Sequence, residues 1–90
     1  MNSQETYNLE ITKTPNSRVF TQVANFIVNK LHGELIKQLD GIDQSYWDFK
    51  INESIVTLHS EHYLGISVYG KKSKVVESSL RRIKPELKLG

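Results

Sequence analysis

From Tyr7 to Thr12 the chain alternates apolar and polar residues, the period-two pattern of a half-buried strand with Tyr7, Leu9 and Ile11 inward. Thr14-Pro15-Asn16-Ser17 stops that pattern and opens a helix. Thr14 or Ser17 is the expected cap, and Pro15 suits the first turn, where its missing N–H is not needed. Val19, Val23, Ile27, Leu31, Leu35 and Leu39 then recur at four-residue steps, with Phe20, Ala24, Phe26 and Val28 beside them. This spacing predicts a long helix over 17–40 with a broad apolar face. Gly33 costs about 1 kcal/mol inside a helix, so a kink or break at His32-Gly33 stays open. Asp40-Gly41 ends the element, with Gly41 as a left-handed C-cap.

Three strands follow at short spacing. Over 46–51, Trp47, Phe49 and Ile51 share one face and Tyr46, Asp48 and Lys50 the other. After a tight turn at Asn52-Glu53, residues 54–60 place Val56 and Leu58 against Ile55, Thr57 and His59. Beyond Glu61-His62-Tyr63, residues 64–70 place Leu64, Ile66 and Val68 against Gly65, Ser67 and Tyr69. Ser73 caps a short amphipathic helix carrying Val75, Val76, Leu80 and Ile83, which Pro85 ends. The expected fold is therefore α+β, in the order β-α-β-β-β-α. It is a single domain over 1–90, with one mixed or mainly antiparallel four-stranded sheet and two helices on one face. Trp47, Phe49, Val56, Leu58, Ile66 and Val68 form its expected core. The opposite sheet face is left open.

Composition narrows the chemistry. With 90 residues, 38% hydrophobic and 24% charged, the chain supports one core and no more. It has no cysteine, which excludes disulfides, zinc-finger sites and thiol nucleophiles. The first six residues have neither a basic nor an apolar segment of a signal peptide, and no apolar run approaches the ~20 residues of a membrane helix. The expectation is a cytoplasmic protein without membrane association. The net charge of +2 is unevenly spread: Lys71, Lys72, Lys74, Arg81, Arg82, Lys84 and Lys88 face only Glu77 and Glu86 in the last twenty residues. Such a segment fits a solvated helix face, and as an alternative a nucleic-acid site formed by Lys71, Lys72, Lys74, Arg81, Arg82 and Lys84.

No catalytic, cofactor or metal motif stands out. His59-Ser60-Glu61-His62 offers imidazole and carboxylate groups in a short span, the basis of a second alternative, a small metal-dependent enzyme at the second hairpin. In a strand, though, His59 and Glu61 share a face while His62 points away. Ser60, His59 and Asp48 could supply a triad on neighbouring strands, but no Gly-x-Ser-x-Gly elbow surrounds any serine. No cofactor is expected. Tyr46, Ile55, His59 and Tyr69 share the polar strand faces, and aromatic residues among small polar ones suit a protein partner. Glu61, His62 and Tyr63 would form the rim of that surface.

The strand Tyr46-Trp47-Asp48-Phe49 and the stretch from Val56 through His59, His62 and Tyr63 to Gly65 resemble small bacterial α+β domains, some of which act as immunity proteins. The resemblance covers residues 43–70. It implies a binding protein without enzymatic activity that neutralises a toxin domain by covering it. Pairing of free sheet edges between copies of the chain stays open.

Overall fold

The computed structural model describes residues 6–14, 16–71 and 78–83. Its elements are β1 (Thr6–Thr12), α1 (Ser17–Lys30), β2 (Glu34–Asp40), β3 (Gln44–Ile51), β4 (Ser54–Glu61) and β5 (Gly65–Lys71). A helical turn at 78–80 follows. All five strands belong to one sheet in the order β1-β5-β4-β3-β2, and every neighbouring pair is antiparallel. This corrects the expected four-stranded sheet under two helices. The described residues are mainly β, with one full helix and a very short second one. The residues expected to begin and end that second helix, Ser73, Val75, Val76 and Pro85, lie outside the described residues.

The extra strand comes out of the expected long helix. α1 is capped by Asn16, not by Thr14 or Ser17: its side-chain oxygen accepts from the amides of Arg18 (2.9 Å) and Val19 (3.2 Å). The helix stops at Leu31. His32 takes a left-handed conformation (φ 59°), and the Gly33 amide donates back to the Ile27 carbonyl at 2.8 Å. A Cβ at Gly33 would sit 2.6 Å from Ile27 Cγ2, so a side chain there would push the chain off the helix end. The break left open at His32-Gly33 is therefore complete, and 34–40 continues as β2. Gly41 consequently lies in the β2–β3 hairpin, where its amide donates to the Gln44 carbonyl at 2.7 Å, and caps no helix.

The other strands fall close to where alternation puts them. Ile51 pairs with Ser54 across a two-residue turn in which Asn52 takes a positive φ of 56°. Glu61 pairs with Gly65 across His62-Tyr63-Leu64, and Gly65 takes φ +88°. A Cβ on Gly65 would collide with the Thr12 carbonyl and the Lys13 backbone. Leu64, expected to share the strand face of Ile66 and Val68, sits in this loop and is exposed.

The core lies between the sheet and α1. Val19, Phe20, Val23, Ala24, Phe26 and Ile27 of the helix meet Tyr7, Ile11, Phe49, Ile51, Val56, Leu58, Ile66 and Val68 of the sheet, joined by Leu80 and Ile83. Trp47 is only half-buried at the margin of this cluster, edge-on to Phe20 with ring centres 5.0 Å apart. β2 is exposed along its whole length, so the cover stops at β3. Phe49 is 1% exposed and Trp47 is not fully enclosed. Phe49→Ala should cost about 3–5 kcal/mol, against about 1–2 kcal/mol for Trp47→Ala. Urea unfolding of the two variants checks the order, and a larger loss for Trp47→Ala would show that the centre of the core is misplaced.

Candidate functional site

Register sorts every strand residue onto one of two faces, because directly paired residues share a side. On the face away from α1, one row runs Glu10, Ser67, His59, Tyr46, Leu39. The next runs Asn8, Tyr69, Thr57, Asp48, Lys37. Ile55 lies opposite Lys50 one row further on. No described element packs on this face. Tyr46, Ile55, His59 and Tyr69, expected together from the alternation, are on it together.

Their rings touch. Tyr46 and His59 stack with centres 4.3 Å apart and 10° between planes, and Tyr69 meets His59 edge-on at 6.1 Å. The Tyr46 hydroxyl donates to Gln44 Oε1 at 2.9 Å, which holds that ring over the imidazole. His59 Nε2 lies 3.5 Å from Glu61 Oε1, an ion pair whenever the imidazole is protonated. One row over, the Thr57 hydroxyl donates to Asp48 Oδ1 at 2.6 Å. Between the two tyrosines opens a slot of about 330 Å³, lined by Tyr46, Tyr69, Asp48, Thr57, Leu39 and Lys37. Burial, and then the nearness of Tyr46 and Asp48, raises the pKa of the Tyr69 phenol above its ordinary value.

The remaining expected residues sit elsewhere. His62 and Tyr63 occupy the exposed β4–β5 loop, ring against ring at 4.7 Å. That loop is tied to the β2–β3 loop by the His62 amide donating to the Asp43 carbonyl at 3.0 Å. The two loops carry Ile42, Tyr63 and Leu64 in water at one end of the sheet. Among the described residues no group of three or more histidine and acidic side chains could hold a metal ion, so the second hairpin assembles no metal centre. Ser60 pairs with Ser45 and Ile66 on the α1 face, opposite to His59 and Asp48, and the three form no triad. Of the basic residues, Lys71, Arg81 and Arg82 are exposed, and Lys72, Lys74 and Lys84 lie outside the described residues. No described helix is long and apolar enough to cross a membrane.

Leu39 and Lys37 were not legible as site residues, because 34–40 reads as helix. On the α1 side a second groove, of about 590 Å³, runs past Asn16, Phe20, Asp40, Ser45, Trp47 and Ser60. Here the Trp47 indole N–H donates to Asp40 Oδ1 at 2.9 Å and Gln38 Nε2 to Asp40 Oδ2 at 2.8 Å. These contacts tie both Asp40 oxygens into the β2–β3 hairpin. The chain matches no protein-family model, no curated protein and no solved structure.

The bonds from Gln38 first, then Trp47 and Ser45, hold the Asp40 carboxyl below its ordinary pKa. A group whose pKa is lowered by folding contributes stability above its unfolded value and loses it as pH falls through the folded one. The hairpin latch should therefore persist at neutral pH and release only in acid, below the ordinary aspartate value of about 3.9. The Trp47 indole N–H resonance, followed by NMR, should titrate with a midpoint under that value and stop titrating in Asp40→Asn. A midpoint at or above it would mean the carboxylate is not held by these donors.

Proposed function

We infer that the chain is a binding module without enzymatic activity, whose open sheet face takes a protein partner. The observation that carries this reading is the contact of three rings, Tyr46, His59 and Tyr69, on a face where no described element packs. Rings held by cross-strand neighbours are already ordered, so a partner that covers them gains large contact area at little entropic cost. Leu39 and Ile55, 54% and 50% exposed, extend the apolar area on either side. Glu10, Glu61 and Lys50 supply a charged border. Glu61, His62 and Tyr63 reach the loop end, where a larger partner would also meet Ile42 and Leu64.

The resemblance of residues 43–70 to immunity-type domains makes a toxin domain encoded beside this chain the first partner to try. Tyr46→Ala and Tyr69→Ala should each weaken that complex by about 2 kcal/mol, roughly thirtyfold in Kd. Loss of one cross-strand ring contact should cost the fold only about 1 kcal/mol, so both variants should remain folded. Calorimetric titration of parent and variants against the isolated partner is the test. Parent-like affinity in both variants would exclude the open face.

A further inference from the structure

We propose that the slot between Tyr46 and Tyr69 receives a guanidinium group, an arginine side chain of the protein partner, which pairs with Asp48. The proposal rests on the open face being the binding surface and adds the chemistry of its central contact. Asp48 is half-buried on β3, and the Thr57 hydroxyl at 2.6 Å is its one hydrogen-bond donor among the described residues. No lysine or arginine among them forms an ion pair with it. A carboxylate partly withdrawn from water with a single neutral donor is short of partners, and a cation supplies what it lacks. The walls choose between cations. Two tyrosine rings line the slot, and a planar guanidinium packs against aromatic rings while its fork of N–H groups reaches the carboxylate, whereas an ammonium is a compact, strongly hydrated charge that makes no such fork. Leu39 closes the slot beside the arginine's aliphatic stem.

Three other charges face the same region: Lys37 across from Asp48 on β2, Lys50 two residues further along β3, and Glu34 opposite Lys50. Lys37 lines the slot, and its ammonium opposes an incoming cation. That opposition gives the proposal a signed consequence, since removing the lysine charge must strengthen binding. A face that acted through apolar contact alone would not respond in that direction.

The probe is N-acetyl-arginine methylamide, titrated into the whole chain and followed by amide NMR shifts, with the citrulline analogue as its neutral isostere. Saturable shifts around Tyr46, Asp48, Thr57 and Tyr69 are expected with Kd of roughly millimolar order, as befits one side chain. Asp48→Asn should weaken binding about tenfold, the citrulline probe should bind correspondingly less, and Lys37→Gln should bind severalfold more tightly, about the effect of one nearby like charge. Citrulline binding as well as arginine, Asp48→Asn binding like the parent, or no saturable shift would each overturn the proposal. The partner complex separates the two readings. If the tyrosine variants lose the partner while Asp48→Asn and Lys37→Gln leave its affinity unchanged, the face stands and the arginine contact falls. If the probe behaves as expected but the tyrosine variants bind the partner normally, the cation slot stands and the face as partner site falls.

Discussion

α1 has to join opposite edges of one sheet, since β1 and β2 lie at its two ends. Five strands at about 4.8 Å spacing are roughly 19 Å wide, and a helix of 14 residues is about 21 Å long. The helix is therefore long enough to cross the sheet, and crossing commits one face to burial. β1, β3, β4 and β5 then turn most of their apolar positions to that side, because hydrophobic area is gained where α1 and the turn carrying Leu80 and Ile83 exclude water. The polar and aromatic positions are left on the other side by subtraction. The open face is thus a consequence of how the chain closes its core.

Rings on such a face do not order themselves. Their packing comes from the register, which sets Tyr46 opposite His59 and Thr57 opposite both Asp48 and Tyr69. Cross-strand neighbours stand roughly 5 Å apart, close enough for stacking without any covering layer. The hydroxyl of Tyr46 on Gln44 and that of Thr57 on Asp48 then fix the side chains that alternation alone leaves free to rotate. On the reverse face the Asp40–Trp47 bond plays the corresponding part, pinning the edge hairpin to the margin of the core. With that bond and the backbone ladder to β3, β2 holds its place in spite of contributing no buried residue.

Alternation made four strands, their facing and the tyrosine–histidine cluster readable, because a period of two has no helical counterpart over six or more residues. The failure at 34–40 has the same origin. A step of four residues satisfies both periods: it returns to nearly the same side of a helix and to the same side of a regular strand. Leu31, Leu35 and Leu39 therefore extend the helical series of Val19, Val23 and Ile27 although the backbone has already changed state. The stop signal was in the chain, at His32-Gly33, but its strength depends on how closely Gly33 passes Ile27, a tertiary contact that no local pattern carries. The cap moved for a local reason: Asn16 competes with Ser17 and Thr14, and the side chain that reaches two amides prevails. Trp47 reads as core from its parity, yet the extent of cover over β3 is set by where α1 ends.

The irregularity in β2 decides what the slot contains. Register shifts between Leu35 and Lys37, so Leu35 lies on the α1 side opposite Phe49 while Lys37 and Leu39 lie on the open side opposite Asp48 and Tyr46. In an unbroken strand Leu35, Lys37 and Leu39 would share one face. With Leu35 opposite Phe49, Lys37 and Leu39 would then turn toward α1, and Ile36 and Gln38 would line the slot. The extra residue lets one edge strand face both sides, turning an exposed leucine to the α1 side and a lysine and a leucine toward the tyrosines. A bulge also spoils an edge for pairing with another chain, as does a lysine on it. β2 is the least covered element and carries Leu35, Ile36 and Leu39 in water, the composition of a strand prone to edge association. The same local insertion that completes the slot thus makes that edge a poorer template, which turns the exposed apolar area of β2 toward its faces rather than its backbone.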